Sequence, residues 1–203
     1  MEKPPKLLLL ESLKSKGYSE KIVSAFERLK REDFVPDKVS SFAYEDIALP
    51  IDDGSTTSQP STIAFMLSLL DPRQNQKILE IGSGSGYVLA LISEIIKNGK
   101  IYGLEINKNV AIKSKKTLIN NSNIEIINRS GELGLPEFAP YDRILISAAC
   151  PDLRIPTLIL DQLSEQGIMV AAIKQSIYQF KKENRKTEMK EFPGFLFVPF
   201  KTG

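Results

Sequence analysis

The 203-residue chain contains no histidine and a single cysteine, Cys150. Without histidine, Ser-His-Asp and Cys-His nucleophile systems in their usual form are excluded, and so is every His-ligated metal site. One cysteine rules out an intrachain disulfide and a Cys-rich zinc site, and nothing in the sequence calls for an oxidising compartment. Charge of one sign is also lacking. The 27 Lys and Arg against 25 Asp and Glu leave a formal +2, which argues for no nucleic-acid partner. Long apolar runs are missing as well. Leu7 to Leu10 is followed at once by Glu11, too short for a signal-peptide core or a membrane span. The expectation is a cytoplasmic protein with no membrane or nucleic-acid partner and no metal, acting as a monomer.

What is present is an ordinary globule. The hydrophobic fraction is 42%, and a chain of this length buries a sizeable core without staples. Before residue 48 the pattern is helical and mixed. Ile22, Val23, Ala25, Phe26 and Leu29 fall at helical spacing after Ser19, a candidate N-cap. Leu49–Gln59 reads as a loop. Pro60 suits the first turn of a helix running to Leu70, which Asp71-Pro72 stops. Strand-like runs then alternate with helix-like ones. The strands are Lys77–Ile81, Lys100–Glu105, Asn123–Asn128, Tyr141–Ser147 and Gly167–Ile173; the helices are Tyr87–Lys97, Asn107–Ile119 and Ile155–Leu163. That alternation predicts parallel strands joined by crossover helices. The charged stretch Lys181–Lys190 reads as a solvated hairpin tip, and Phe195–Phe200 as a last strand. The predicted fold is therefore α/β: a Rossmann-like, doubly wound, mostly parallel sheet with N-terminal helices and an antiparallel C-terminal hairpin.

The sharpest local signal is Glu80-Ile81-Gly82-Ser83-Gly84-Ser85-Gly86, after a predicted strand and before a predicted helix. Such glycines let the backbone turn tightly and approach a ligand. Glu105 closes the next strand, roughly 20 residues on, where a carboxylate meets ribose hydroxyls. Tyr87 stands where a dinucleotide fingerprint needs its third glycine, and no Gly-Lys-Ser/Thr end makes a P-loop. Alternating glycines with an acid two residues before the first resemble motif I of class I methyltransferases. Their cofactor, S-adenosylmethionine, has no pyrophosphate to cradle, and its sulfonium suits a nearby carboxylate.

Together with the glycine-rich turn, four further stretches resemble one family, the protein-L-isoaspartate (D-aspartate) O-methyltransferases. Ala43-Tyr44-Glu45-Asp46-Ile47-Ala48-Leu49-Pro50-Ile51 is followed by Gly54-Ser55-Thr56-Thr57-Ser58-Gln59-Pro60; Pro140-Tyr141-Asp142-Arg143-Ile144-Leu145-Ile146-Ser147-Ala148-Ala149-Cys150-Pro151 spans a strand end; and Phe34-Val35-Pro36 and Phe197-Val198-Pro199-Phe200 sit near the termini. The resemblance covers nearly the whole chain. It implies transfer of a methyl group from S-adenosylmethionine to the free carboxylate of isoaspartyl, and possibly D-aspartyl, residues in aged proteins. The ester collapses to a succinimide that hydrolyses partly to normal aspartate, so methylation opens a repair cycle. It implies one methyltransferase domain over 1–203, with N-terminal helices and a substrate loop (1–72), a cofactor core (73–175) and a C-terminal hairpin (176–203). It implies a cofactor set of Thr56, Thr57, Glu80, Gly82, Ser83, Gly84, Gly86, Glu105, Ile106, Gly131 and Glu132, with Gln175 and Gln179 closing over the methionine end. Tyr44, Leu49, Pro50 and Ile51 would line a peptide groove, and Ala148 and Ala149 would offer backbone groups to the substrate.

Ser58 is the expected catalytic residue. A carboxylate is already ionised at neutral pH, so no general base is required, and the task is to hold one oxygen in line with the methyl. Ser58 precedes a predicted helix start, where unpaired N–H groups favour an anion. Capping that helix is the other reading of the same serine. The chain departs from the family pattern at Asp52 (usually Gly), Ser55 (usually Gln), Thr57 (usually branched and apolar) and Glu132 (usually Asp). Two added acids near a site for an anion keep two alternatives open: a carboxyl methyltransferase for one dedicated peptide or small molecule, and a cofactor-binding protein without turnover. A base-methylating enzyme is disfavoured, since Ser147-Ala148-Ala149-Cys150-Pro151 carries no Asn/Asp-Pro-Pro-aromatic motif. Cys150 reads as a small buried hydrophobe.

Overall fold

The computed structural model describes residues 3–202. Its framework is a seven-stranded sheet in the order β5-β4-β3-β6-β7-β8-β9. The strands are β3 (Gln76–Ile81), β4 (Gly99–Glu105), β5 (Ile124–Asn128), β6 (Tyr141–Cys150), β7 (Leu163–Ile173), β8 (Ser176–Glu183) and β9 (Lys186–Pro193). β5, β4, β3, β6 and β7 run parallel, and β8 and β9 add antiparallel. Strand order reverses at β3, which pairs with β4 on one side and β6 on the other. In open α/β sheets, ligands bind in the crevice at the carboxyl ends beside such a switch point.

Neighbouring side chains on the parallel strands go to opposite faces. Ile78, Leu145 and Val170 join the core cluster under the N-terminal helices. Leu79, Ile144, Ile146, Met169 and Ala171 join the cluster on the other face. The strands are buried on both sides, which is why they read as continuous apolar runs. α1 (Pro5–Ser15), α2 (Glu20–Arg28), α3 (Pro60–Leu70), α4 (Tyr87–Ile96) and α5 (Lys108–Thr117) contribute to the first cluster, and α6 (Arg154–Ile159) to the second. No helix among the described residues is long and apolar enough to cross a membrane.

α3 begins at Pro60 and ends on Asp71, which takes the left-handed conformation at φ 46°. Ser19 occupies the N-cap position of α2 but makes no side-chain capping bond. The 184–185 turn of the β8–β9 hairpin has Asn184 and Arg185 at φ 52° and 60°, the left-handed pair a two-residue hairpin needs.

Two expectations need correction. Leu49–Gln59 is not all loop: β1 (Leu49–Pro50) and β2 (Thr56–Thr57) pair antiparallel, turning through Asp53 and Gly54 at φ 53° and 73°. Phe195–Phe200 is not a strand. It runs alongside the carboxyl end of β6 and touches the sheet through one parallel bridge, Ala149 with Pro199. The β6–β7 register breaks between Ile146 and Cys150. Within that break the Ala149 N–H donates to the Val198 carbonyl and the Phe200 N–H to the Ala149 carbonyl, both at 2.9 Å.

Candidate active site

The carboxyl ends of β3, β4 and β6 open onto an inner cavity. The β3–α4 turn forms its floor. Gly82 stands at φ 79°, and a Cβ there would lie 3.4 Å from the Ala148 Cβ, so glycine lets the turn lie against the end of β6. The Gly82 and Ser83 N–H groups donate to the Leu104 carbonyl at 2.8 and 3.0 Å. Glu105, at the end of β4, is buried and accepts from the Gly84 N–H at 2.9 Å and the Asn107 N–H at 2.8 Å. Two polar atoms on this wall are buried without a hydrogen-bond partner: Glu80 Oε2 and Ser83 Oγ. Unpaired buried polar atoms are rare and call for an explanation such as a ligand.

Glu80 is buried to 1% exposure. Burial pushes its carboxyl up to about 8; the Ser147 hydroxyl, 2.7 Å from Oε1, opposes that shift, and the Glu105 charge adds to it. Glu80 therefore keeps its proton near neutral pH in the cofactor-free protein, and a cation beside it would favour its charged form. A sulfonium or ammonium is such a cation, and the Glu105 end is placed for sugar hydroxyls. The residues present fit S-adenosylmethionine, the cofactor the resemblance implies.

A second, outer groove lies beside the first. Thr56, Ser58, Ser147, Val198 and Pro199 line both. Lys16, Tyr18, Ala48, Phe65, the exposed Leu196 and the half-buried Phe197 continue the outer one. Ser58 therefore stands on the wall that a donor group and an acceptor group would share. Its helix-capping alternative is not used: the Ser61 N–H at the start of α3 donates to the Asp46 carboxylate at 2.8 Å.

Of the expected cofactor set, Thr56, Thr57, Glu80, Gly82, Ser83, Gly84, Glu105, Ile106 and Gly131 line the inner cavity. The remainder lie elsewhere. Gly86 packs under α5: a Cβ there would come within 2.6 Å of Leu118 Cδ1. Glu132 is half-buried off the cavity and accepts from the Ser130 hydroxyl at 3.2 Å. Gln175 sits exposed between β7 and β8, where its carbonyl takes the Gly194 and Phe195 N–H groups. Gln179 donates to the Leu69 carbonyl at 2.5 Å, so neither glutamine closes over the site.

The expected peptide groove is also redrawn. Tyr44 donates its hydroxyl to Glu32 and packs on the helical core. Leu49 is buried in the β1–β2 pair, and Pro50 points to solvent. Ile51 meets the glycine-rich turn from behind, 3.4 Å from where a Gly84 Cβ would stand. None of these four lines the outer groove. Ala148 lines the inner cavity, whereas the Ala149 N–H and carbonyl are already committed to the closing segment.

The added acids Asp52 and Asp53 are engaged by residues of α5 and its N-cap. Asp52 pairs with Lys113 at 2.7 Å. Asp53 accepts from the Asn107 and Asn109 side-chain amides at 3.0 and 3.3 Å. Lys113 thus offsets the Asp52 charge, which weakens the charge argument for a different acceptor. Cys150 is fully buried, and burial pushes its thiol up to about 12.

Sequence reasoning missed four contributing residues. Ser147 links Glu80 to both cavities; its place in the strand-end motif was the available signal. Phe200 and Lys201 line the inner cavity, which only the seating of residues 194–200 beside the end of β6 reveals. Arg31 is fully buried and reaches the Ser58 carbonyl at 3.0 Å; nothing in its local sequence sets it apart from a solvated arginine.

A family model described as Protein-L-isoaspartate(D-aspartate) O-methyltransferase (PCMT) matches residues 5–203. A protein-L-isoaspartate O-methyltransferase of Pyrobaculum arsenaticum is 36% identical over 95% of this chain and 98% of its own. One from Dictyoglomus thermophilum is 39% identical over 95% of this chain and 89% of its own. Among solved structures, a protein-L-isoaspartate O-methyltransferase superposes with a TM-score of 0.87 at 27% identity, covering 96% of this chain; this chain spans 65% of that one. A putative Plasmodium falciparum relative, solved with S-adenosyl-L-homocysteine, superposes at 0.85 with 24% identity over 98% of this chain and 99% of its own, a likeness of fold. The chain belongs to the protein-L-isoaspartate (D-aspartate) O-methyltransferase family.

Proposed function

We propose that this protein transfers the methyl group of S-adenosylmethionine to the free carboxylate of L-isoaspartyl residues in damaged proteins, the step that opens their repair. D-aspartyl residues are the second acceptor class in the family's description. The observation that carries the reading is the wall shared by the two cavities, with Ser58 and Ser147 on it.

When bound, the cofactor supplies an electrophilic methyl on a cationic sulfur. The chain's own residues do the rest. Glu105 lies at the sugar end of the inner wall, and Glu80 would carry negative charge once the cationic cofactor sits against it. The Ser58 hydroxyl donates to one acceptor oxygen and leaves the other to face the inner cavity. Positioning of this kind supplies as much as ~7–11 kcal/mol of a barrier. Ile63, Met66, Leu104, Leu145, Val198 and Phe200 give the inner cavity an apolar lining. The reaction joins an anion to a cation and leaves two neutral groups. A water-poor site strengthens the attraction that draws them together. No proton is transferred, so the missing histidine costs nothing.

The reading is tested with methyl-labelled S-adenosylmethionine and a matched pair of peptides, one aspartyl and one isoaspartyl. Base-labile label on the isoaspartyl peptide alone is the expected result. Label on neither peptide despite cofactor binding, or only base-stable label, would overturn it.

A further inference from the structure

Resting on that reading, we infer that Arg31 is a positioning residue for the acceptor: its guanidinium sets the place of Ser58 by gathering the backbone of the loop that carries it. Arg31 opens a 3₁₀ turn, Arg31–Phe34, and has 0% exposure. One terminal nitrogen donates to the carbonyls of Ala43 at 2.8 Å and Glu45 at 3.3 Å. The other donates to Ile47 at 3.1 Å and Ser58 at 3.0 Å. Among the described residues none of these four carbonyls accepts a backbone hydrogen bond.

The chemistry of this arrangement is unusual. Buried arginines ordinarily face carboxylates, because desolvating a cation is costly unless it is paired. Here the partners are four neutral carbonyls, and no carboxylate forms an ion pair with Arg31 among the described residues. The bond to Ala43 is buried and the other three are partly so; carbonyls withdrawn from water need partners, and on 43–47 and at Ser58 no regular secondary structure supplies them. The planar fork reaches all four at once, which the point charge of a lysine does not match. The same guanidinium lies 5.9 Å from the Tyr87 ring centroid. Tyr87 is the first residue of α4 and lines the inner cavity. Arg31 thus sits where the acceptor loop meets the helix behind the donor turn, and it ties the height of Ser58 to that helix.

A merely structural arginine would affect stability, cofactor binding and turnover together. A positioning arginine has a narrower signature, because an acceptor misplaced by about 1 Å loses roughly 10²-fold in rate. The test uses the whole protein with Arg31→Lys, which keeps the charge and loses the fork. The expected result is a fall in kcat on the isoaspartyl peptide of about 10²-fold, with S-adenosylhomocysteine affinity unchanged. Amide hydrogen exchange should quicken over residues 43–58 and stay at wild-type levels over residues 82–90. In a Ser58→Ala background the same substitution should add almost nothing to the loss, because Arg31 acts through Ser58.

An Arg31→Lys protein with wild-type kcat would overturn the inference. So would cofactor-product affinity falling in step with kcat, or losses that multiply in the double variant. Should Arg31→Lys not fold, Arg31→Gln, which keeps two N–H donors, is read in the same assays. If neither folds, Arg31 serves stability and the inference fails. Absence of any ester from the wild-type protein would sink the proposed acceptor instead. The exchange pattern then still decides for or against Arg31.

Discussion

The two halves of this site are built in opposite ways. The donor half hangs on one turn between β3 and α4, where backbone conformation does the work: Gly82, Gly84 and Gly86 all have positive φ, and N–H groups go to the Leu104 carbonyl and the Glu105 carboxylate. The acceptor half has little regular structure. Residues 43–59 hold one two-residue strand pair and are otherwise tied by side chains from far along the chain. Arg31 takes four carbonyls, Asp46 takes the Ser61 N–H, the Tyr18 hydroxyl donates to the Ser61 carbonyl at 3.1 Å, and Lys16 pairs with Asp46 at 2.9 Å. On the proposed reading, a local device would place the cofactor and a set of long-range bonds the substrate. Damage to one half should therefore leave the other measurable.

The largest break in that comparison is expected from Gly82→Val. An L residue at φ 79° is strained by roughly 1–2 kcal/mol, and a branched side chain against Ala148 adds overpacking of about 1–3 kcal/mol. Calorimetric titration should show cofactor affinity reduced on the order of 10²-fold, with exchange over residues 43–58 untouched. Equal loosening of both halves would contradict the division.

Glu80→Gln sharpens the comparison through pH. In the unfolded chain Glu80 loses its proton in the ordinary glutamate range; in the folded, cofactor-free protein burial holds the proton to about 8. Across that window the folded state binds the extra proton, so stability falls as pH rises and levels off above 8. Denaturant melts should show this decline in the wild type and lose it in Glu80→Gln. Affinity for the cationic cofactor should climb toward pH 8 in the wild type and stay flat in the variant. A flat wild-type profile would count against the buried acid.

The smallest effect is expected at the edge between the halves. The Asp52–Lys113 pair is open to solvent, with 35% and 66% of its side chains exposed, and such pairs are worth ~0–1 kcal/mol. Lys113→Ala should shift the melting midpoint by only a few degrees and change turnover little, at low salt and high salt alike. A large loss of isoaspartyl turnover would show that the added acids matter to the acceptor after all.

The same division explains what was legible in the sequence. Parallel strands announced themselves as apolar runs, and the donor turn as alternating glycines behind an acid, because both signals are local. α3 was readable from Pro60 and from the Asp71-Pro72 stop for the same reason. The β1–β2 pair was overlooked although Asp53-Gly54 is a hairpin signal, since its strands are only two residues each. Phe195–Phe200 has the apolar content of a strand, yet Pro199 lacks an N–H and the segment bonds the sheet only around Ala149. Gln179 was assigned by resemblance to the cofactor, whereas its strand β8 carries it to the end of α3. Arg31 was invisible because its four acceptors lie 12 to 27 residues away. Local backbone demands leave a pattern in sequence; long-range side-chain bonds leave a single unremarkable letter.

Ser58 is where the two halves meet, so the most direct test is one preparation of Ser58→Ala carried through two assays. Calorimetry with S-adenosylhomocysteine and base-labile methyl transfer to an isoaspartyl peptide are measured side by side against wild type. The account predicts wild-type affinity together with turnover reduced on the order of 10²-fold, the scale of a lost positioning contact. Undiminished turnover, or affinity and turnover falling together, would contradict it.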